Sequence, residues 1–317
     1  MRLKLGTRGS KLALIQADIV IEALKMLCPG IEIDIKIIKT TGDLILDKDL
    51  SKIGGKGVFV NEIETALVTG EIDFAVHSAK DVPHTLPKEF IIGAILKRED
   101  PRDVLICKNN WNLNTLPENA KIGTSSSRRT LQLKMLRPDL DFQLIRGNVD
   151  TRINKLARGE FDAIILAAAG IKRMGHDKQT EDVFFKNILK QNLEITLKSE
   201  YLDIESFIPS PGQGALIIET RKTDEKTLNF IKKLNSENDF YCVSAERSFL
   251  REINGSCEVP AGAYCTIKDN KMTAVGFIGD ENKQIICRDR VTGSTEKYEI
   301  LGAELAQRVK NIQNKGF

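Results

Sequence analysis

Two stretches decide the fold: TGEIDFAVHSA at 69–79 and RGEFDAIILAA at 158–168. Each runs glycine, glutamate, an apolar residue and aspartate, then an apolar segment of strand length. Each follows a segment of helical periodicity, VFVNEIETALVTG in the first case and NVDTRINKLARG in the second. A helix stopped at glycine and followed by an apolar strand is half of a strand–helix–strand unit. Two such units in tandem are the simple explanation. Short strand entries also resemble one another by chance, so at this point both readings stand.

The surrounding sequence extends the pattern. RLKLG alternates as a short strand, and Ser10 is placed to cap a helix with Leu14, Ala17, Ile21 and Leu24 on one face. Pro29-Gly30 stops that helix, and IEIDIKIIKT alternates as a strand. After residue 100 the plan repeats: KIGTSSS is strand and turn, RRTLQLKML helix, and DFQLIRG strand. Residues 176–210 are polar, with four lysines against seven acids, and are expected to be a surface excursion with some helix. SPGQGALIIET returns to a glycine turn and an apolar strand, and a helix spans about 223–251. AGAYCTIKDN, KMTAVGFIGD and QIICRDRVTG read as antiparallel strands, and EILGAELAQRVKNI as a closing helix, which makes a small α+β unit. Alternating strands and helices predict mostly parallel sheets, with ligands beyond the carboxyl ends of the strands.

Composition narrows the function classes. The 317 residues are 41% hydrophobic and 29% charged, with a net charge of +3, which excludes disorder and gives no overall basic surface for nucleic acid. No run of 18 apolar residues occurs, so no membrane span is expected. MRLKLGTRGS has no apolar core of a secretory signal, so a cytoplasmic location is expected. The six cysteines form no C-x-x-C pair, there are three histidines, and no metal site is expected.

Three features point to chemistry. Residues 120–175 hold seven arginines and four lysines against five acids, +6 in a protein of +3. Arg128, Arg129, Arg146, Arg152 and Arg173 lie near expected strand ends or helix starts, where a planar guanidinium can grip carboxylate or phosphate. In GTSSSRR, Thr124, Ser125, Ser126 and Ser127 offer hydroxyls at a helix start; two arginines there oppose the helix dipole, which suggests an anionic ligand. Gly54-Gly55-Lys56-Gly57 lacks P-loop spacing. HSAKDVP places Lys80 and Asp81 just past an apolar strand, where a carboxylate can steady a developing cation or simply cap a turn. His77 reads as a core histidine. Cys257 lies in the turn-rich loop NGSCEVP, open to reaction, whereas Cys242 falls on the apolar side of a helix.

GTRGSKLAL, KIGGKGVFVNEIE, HSAKDVP, EDPRD, GTSSSRR, RGNVDTR, AAAGIKR, PGQGA and NGSCEVPAGAY occur in this order across residues 5–264. This ordered set resembles the porphobilinogen deaminase (hydroxymethylbilane synthase) family. The resemblance implies two α/β domains of the periplasmic-binding-protein kind plus a small α+β domain. Their expected extents are 1–98 with 214–234, then 99–213, then 235–317. It implies a transferase of tetrapyrrole and heme biosynthesis that joins four porphobilinogen molecules head to tail, losing ammonia each time. It also implies a dipyrromethane cofactor held by a thioether to Cys257, and a monomer that needs no metal, nucleic acid or membrane. By the same resemblance, Asp81 is the catalytic carboxylate. Lys80, Ser78, Arg128, Arg129, Thr124, Ser125, Ser126, Arg146, Asn148 and Gln213 contact the cofactor. Arg8, Arg146, Arg152, Arg173, Lys52 and Lys56 serve the substrate side chains.

The chain departs from the family pattern at Ser256 before the cysteine, at Ala79 where a larger residue is common, and in the long stretch 176–210, expected to lie away from the cleft. A non-catalytic two-lobed binding protein for a carboxylate or phosphate is the alternative, but it gives no role to Cys257. A nucleic-acid binder needs stacking aromatics, and the basic segment has only Phe142 and Phe161.

Overall fold

The computed structural model describes residues 2–44, 60–176, 181–189, 196–253, 259–280 and 284–314. The chain opens with β1 (Arg2–Thr7), α1 (Lys11–Leu27), β2 (Glu32–Ile37), α2 (Thr41–Leu44), α3 (Asn61–Val68), β3 (Phe74–Ser78) and β4 (Phe90–Ile95). It continues through β5 (Asp103–Lys108), β6 (Lys121–Gly123), α4 (Ser127–Leu136), β7 (Asp141–Gln143), α5 (Val149–Ala157), β8 (Ala163–Ala167) and α6 (Ala168–Arg173). Then follow α7 (Glu181–Leu189), β9 (Leu197–Tyr201), β10 (Leu216–Arg221), α8 (Glu225–Ile231) and α9 (Glu237–Glu252). The chain closes with β11 (Ala261–Lys268), β12 (Lys271–Asp280), β13 (Ile285–Ser294) and α10 (Tyr298–Asn314).

Two five-stranded sheets share one plan. The first has the order β2-β1-β3-β10-β4 and the second β7-β6-β8-β5-β9. In each, the first three strands are parallel and the fourth, β10 or β5, runs antiparallel to both its neighbours. These two reversed strands follow the points where the chain passes from one sheet to the other. Apolar side chains cover the sheets: α1 packs on the first with Leu3, Leu5, Phe74 and Ile218, and α5 and α7 pack on the second with Val104, Ile106 and Ile164. The third unit is the antiparallel sheet β11-β12-β13 under α9 and α10. The expected class, α/β lobes with a small α+β unit, is the class observed.

The repeated sequence motif has a common mechanical role. Asp73 accepts a hydrogen bond from Lys4 N at 2.7 Å, and Asp162 accepts one from Lys121 N at 2.9 Å. Their own backbone N–H groups donate to Lys4 O and Lys121 O at 2.8 and 2.9 Å. In both sheets, therefore, this aspartate ties the entry of the third strand to the strand beside it and sets the register. Ser10 caps α1 by accepting from Ala13 N at 3.2 Å, as its position predicts.

Four expectations need correction. The sheets are mixed rather than mostly parallel, with two of the four pairings in each antiparallel, and the helix expected over about 223–251 is broken into α8 and α9. Residues 176–210 are not a surface excursion: β9 is the edge strand of the second sheet, paired to β5, and Phe184, Phe185, Ile188 and Leu189 of α7 are buried in its core. The acids that made this stretch look solvated include Glu181, which accepts from Ser199 N at 2.6 Å and so joins α7 to β9. The apolar run after Asp162 is also not all strand: β8 ends at Ala167, and AAGIKR winds into α6.

The PGQG turn brings the lobes together. Gly212 and Gly214 have φ of +74° and +91°. A Cβ at Gly212 would lie 2.9 Å from Ala79 Cβ, and one at Gly214 would strike the Glu99 carbonyl. The small residue at 79 thus has a partner in the glycine it faces. Gly212→Ala adds both a strained φ and this collision, and is expected to cost more than about 1 kcal/mol. Urea unfolding measures it; an unchanged midpoint would contradict the packing described.

Candidate active site

The topology gathers the chemistry at one end of each sheet. Arg8 follows β1, Ser78 ends β3, Thr124 to Ser126 follow β6, Arg146 follows β7, and Arg173 ends the helix after β8. Because β5 and β10 are reversed, their starts fall at the same ends, which brings in Asp103, the first residue of β5, and Gln213 in the turn before β10. Ligands of such sheets bind at this edge.

At its centre is a fully buried carboxylate. Asp103 pairs with Arg128 Nη2 at 2.7 Å and accepts from Arg129 Nε at 3.0 Å and Nη2 at 2.6 Å. Gln213 Nε2 donates to the same carboxylate at 3.1 Å and to Pro101 O at 2.8 Å. Arg128 Nη1 donates to Ile208 O at 2.8 Å and Arg129 Nη1 to Ile165 O at 3.0 Å. The two arginines are only 5% and 7% exposed. Burial favours the neutral acid, but the two guanidinium groups outweigh it and hold Asp103 at about 2. The cations at the start of α4 are thus balanced from within the protein. Ser126 caps α4 by accepting from Arg129 N at 3.4 Å, Thr124 Oγ1 accepts from Ser126 N at 3.2 Å, and Ser125 is exposed.

Gln213 also joins the two lobes. Lys80 Nζ donates to its Oε1 at 3.4 Å. Lys80 keeps surface open to water but is walled in by protein. That enclosure, with Arg129 and Arg128 nearby, pushes its pKa down to about 8 against the pull of Asp81 and Asp103. Asp81, the next residue, is exposed at the end of a short turn over Ala79–Asp81. Arg152 lies within electrostatic reach of Asp81: burial, Arg129 and Arg146 push its pKa down to about 10 while Asp81 raises it. Its Nε donates to Gly147 O at 2.7 Å. Arg173 donates to Gly214 O at 2.6 Å, and burial lowers it to about 10 with Glu99 opposing. Arg146 is half-buried in the same group, and Asn148 is the exposed N-cap of α5.

Most of the expected site residues therefore meet at this edge: Ser78, Lys80, Asp81, Thr124 to Ser126, Arg128, Arg129, Arg146, Arg152, Arg173 and Gln213. Arg8 is half-buried directly after β1. Lys52, Lys56 and Cys257 lie outside the described residues. The sequence reading missed Asp103 as the organiser, although it sits in the quoted EDPRD. It also missed Gln16 of α1, which is buried and donates to Ser78 Oγ at 3.1 Å. A glutamine on the apolar face of α1 was the available signal. His77 is buried 3.0 Å from Glu219, as a core histidine. Among the described residues, no cluster of His, Cys, Asp and Glu could hold a metal ion.

Comparison with known proteins places the chain in a family. Residues 3–229 match the family described as porphobilinogen deaminase, dipyromethane cofactor binding domain, and residues 240–311 match its C-terminal domain. The porphobilinogen deaminase of Brevibacillus brevis is 46% identical over 92% of this chain and 88% of its own length. That of Bacillus pumilus is 44% identical over 99% and 94%. Among solved structures, a double mutant of the Bordetella pertussis BvgS VFT2 domain is 14% identical, with a TM-score of 0.44, over 78% of this chain and 92% of that one.

Asp103→Asn leaves two buried guanidinium groups without their counter-charge, a loss expected to cost about 3–5 kcal/mol. The folded-state pKa is depressed from 3.8 to about 2, so the carboxylate's contribution is complete above the upper value and lost as pH falls towards the lower. Unfolding curves of wild type and variant should therefore differ by a constant amount at neutral pH and converge below pH ~4. Equal stabilities at pH 7 would contradict the assigned role.

Proposed function

The chain belongs to the porphobilinogen deaminase family, and from that premise we propose that its cationic sheet edge is where porphobilinogen molecules are joined. The activity is that of hydroxymethylbilane synthase: four porphobilinogen molecules are linked head to tail, one ammonia leaving at each step. The family match covers the domain that binds the dipyrromethane cofactor.

The observation that carries the site assignment is the gathering of cations at one sheet edge, with Lys80 and Arg152 within electrostatic reach of the exposed Asp81 carboxylate. Each pyrrole bears an acetate and a propionate, so two rings present four carboxylates. Lys80, Arg146, Arg152 and Arg173, on the frame set by Asp103, Arg128 and Arg129, suit such a polyacid. Arg8, Lys52 and Lys56 complete the proposed substrate side. Thr124, Ser125, Ser126, Ser78, Asn148 and Gln213 supply neutral donors and acceptors.

Cys257, in NGSCEVP, is the thiol that the family resemblance assigns. The five described cysteines, Cys28, Cys107, Cys242, Cys265 and Cys287, are all buried, and burial pushes Cys107 and Cys242 up to about 12. Such thiols stay protonated and unreactive at neutral pH. Cys257 is the proposed point of thioether attachment. A Cβ at Gly262 would lie 3.0 Å from Ile208 O, the carbonyl to which Arg128 donates. When bound, the dipyrromethane supplies the free pyrrole α-carbon from which the product chain starts.

The chain's own residues then do three things. The arginines and Lys80 hold the carboxylates and fix the ring faces. Asp81 accepts from the substrate pyrrole N–H and stabilises the positive charge that develops as the amine leaves. It is also placed to relay a proton to that amine. Phe161 is in the core, and Phe142 is partly buried against the cluster that contains Leu140. No helix among the described residues is long and apolar enough to cross a membrane. We read the protein as a cytoplasmic monomer without nucleic-acid partners, divided at the boundaries 1–98 with 214–234, 99–213 and 235–317.

Asp81→Ala is expected to lower kcat by about 10²–10⁴-fold, with KM for porphobilinogen changed only a few-fold. Steady-state kinetics measures this. A variant within about twofold of wild type in kcat would remove Asp81 from the chemistry.

A further inference from the structure

Two consecutive buried charges on α9 hold different neighbours. Glu246 accepts from Arg98 at 2.6 and 3.1 Å, from Gly212 N at 2.6 Å and from Cys265 N at 2.8 Å. It therefore holds the PGQG turn and β11 to the helix. Arg247, 8% exposed, reaches elsewhere. Its Nη1 donates to Val82 O at 3.2 Å and its Nη2 to Pro83 O at 2.6 Å. These are the two carbonyls immediately after Asp81.

The contact is anchored by packing as well. The Val82 side chain belongs to a buried cluster with Val243 of α9, and Phe240 packs against it. Val243 is one turn before Arg247 on the same helix. On its other side, the Asp81 turn is tied to β10 through Ala79 N, which donates to Ala215 O at 3.0 Å. Arg247 itself is enclosed. Burial lowers its pKa to about 10, with Glu219 opposing, so it remains a cation at neutral pH. A buried guanidinium is expensive to keep where an apolar side chain could fill the space. Here its fork spans two adjacent carbonyls, a geometry that no aliphatic residue supplies.

We propose that Arg247 is a positioning residue: by holding the Val82 and Pro83 carbonyls, it fixes the Asp81 carboxylate relative to α9. That helix ends at Glu252, five residues before Cys257. The same rigid element thus sets the place of the acid and leads to the tether. This inference rests on the reading of Asp81 and Cys257 given above.

The test compares Arg247→Met, Arg247→Lys, Asp81→Ala and the double variant Asp81→Ala/Arg247→Met. Arg247→Met should keep the cofactor mass in an intact mass spectrum. It should lose about tenfold or more in kcat with KM within about threefold, because a displaced acid fails in the transition state rather than in binding. In the Asp81→Ala background the same change should cost less than about twofold, because the residue through which it acts is gone. Arg247→Lys, which keeps the charge but not the fork, should fall between wild type and methionine. If Arg247→Met does not fold, Arg247→Lys carries the test: lowered kcat at an unchanged urea midpoint supports the inference, and wild-type kcat overturns it. Wild-type kcat in Arg247→Met, or a full loss repeated in the Asp81→Ala background, also overturns it. Failure of the Asp81 reading itself is seen separately, as an Asp81→Ala parent that turns over normally.

Discussion

The candidate site depends on one buried carboxylate, Asp103. Two neighbouring guanidinium groups at the start of a helix repel each other and oppose the helix dipole, and neither tolerates burial alone. Asp103 removes that conflict by accepting from both, and the Ile165 and Ile208 carbonyls take remaining donors. Gln213 then extends the arrangement to Lys80 in the first lobe. The result is a fixed positive frame at the joint of the two sheets. Its cations are set in place by protein contacts before any ligand carboxylate is considered, which is the condition for electrostatic preorganisation.

The reversed strands make this possible. In an all-parallel sheet, the residue that starts a strand lies at the opposite end from the ligand edge. β5 and β10 each follow a passage between lobes and run against their neighbours, so Asp103 and the turn holding Gln213 arrive at the working edge. The chain crossings that unite the lobes are thus also the source of the residues that organise the site. The glycines at 212 and 214 let the returning chain press against Ala79 and Glu99. Adjacent residues of α9 hold that turn and the Asp81 segment, which draws the third unit into the same construction.

Much of this was legible from local patterns. The paired motifs at 69–79 and 158–168 announced a repeated unit, and their aspartates do the same work in both sheets. The charge excess in 120–175 pointed to the sheet edge where Arg128, Arg129, Arg146 and Arg152 lie together. Other features depended on partners distant in sequence. Asp103 reads as an ordinary strand-entry acid until Arg128, Arg129 and Gln213 are brought around it. Residues 176–210 misled because their acids and lysines hide a four-residue apolar set on α7 and a strand whose partner, β5, lies some 90 residues earlier. GTSSSRR suggested an anionic ligand, but the first anion those arginines meet is the protein's own Asp103.

On the function proposed above, this frame of cations serves a polyacid tethered through sulfur at Cys257. Intact mass spectrometry of the native protein tests it most directly. The account predicts a mass above 35.4 kDa by two linked pyrrole units, and the bare polypeptide mass for Cys257→Ala. A native protein that consumes porphobilinogen while carrying no added mass, or a Cys257→Ala protein that still carries it, would contradict the account.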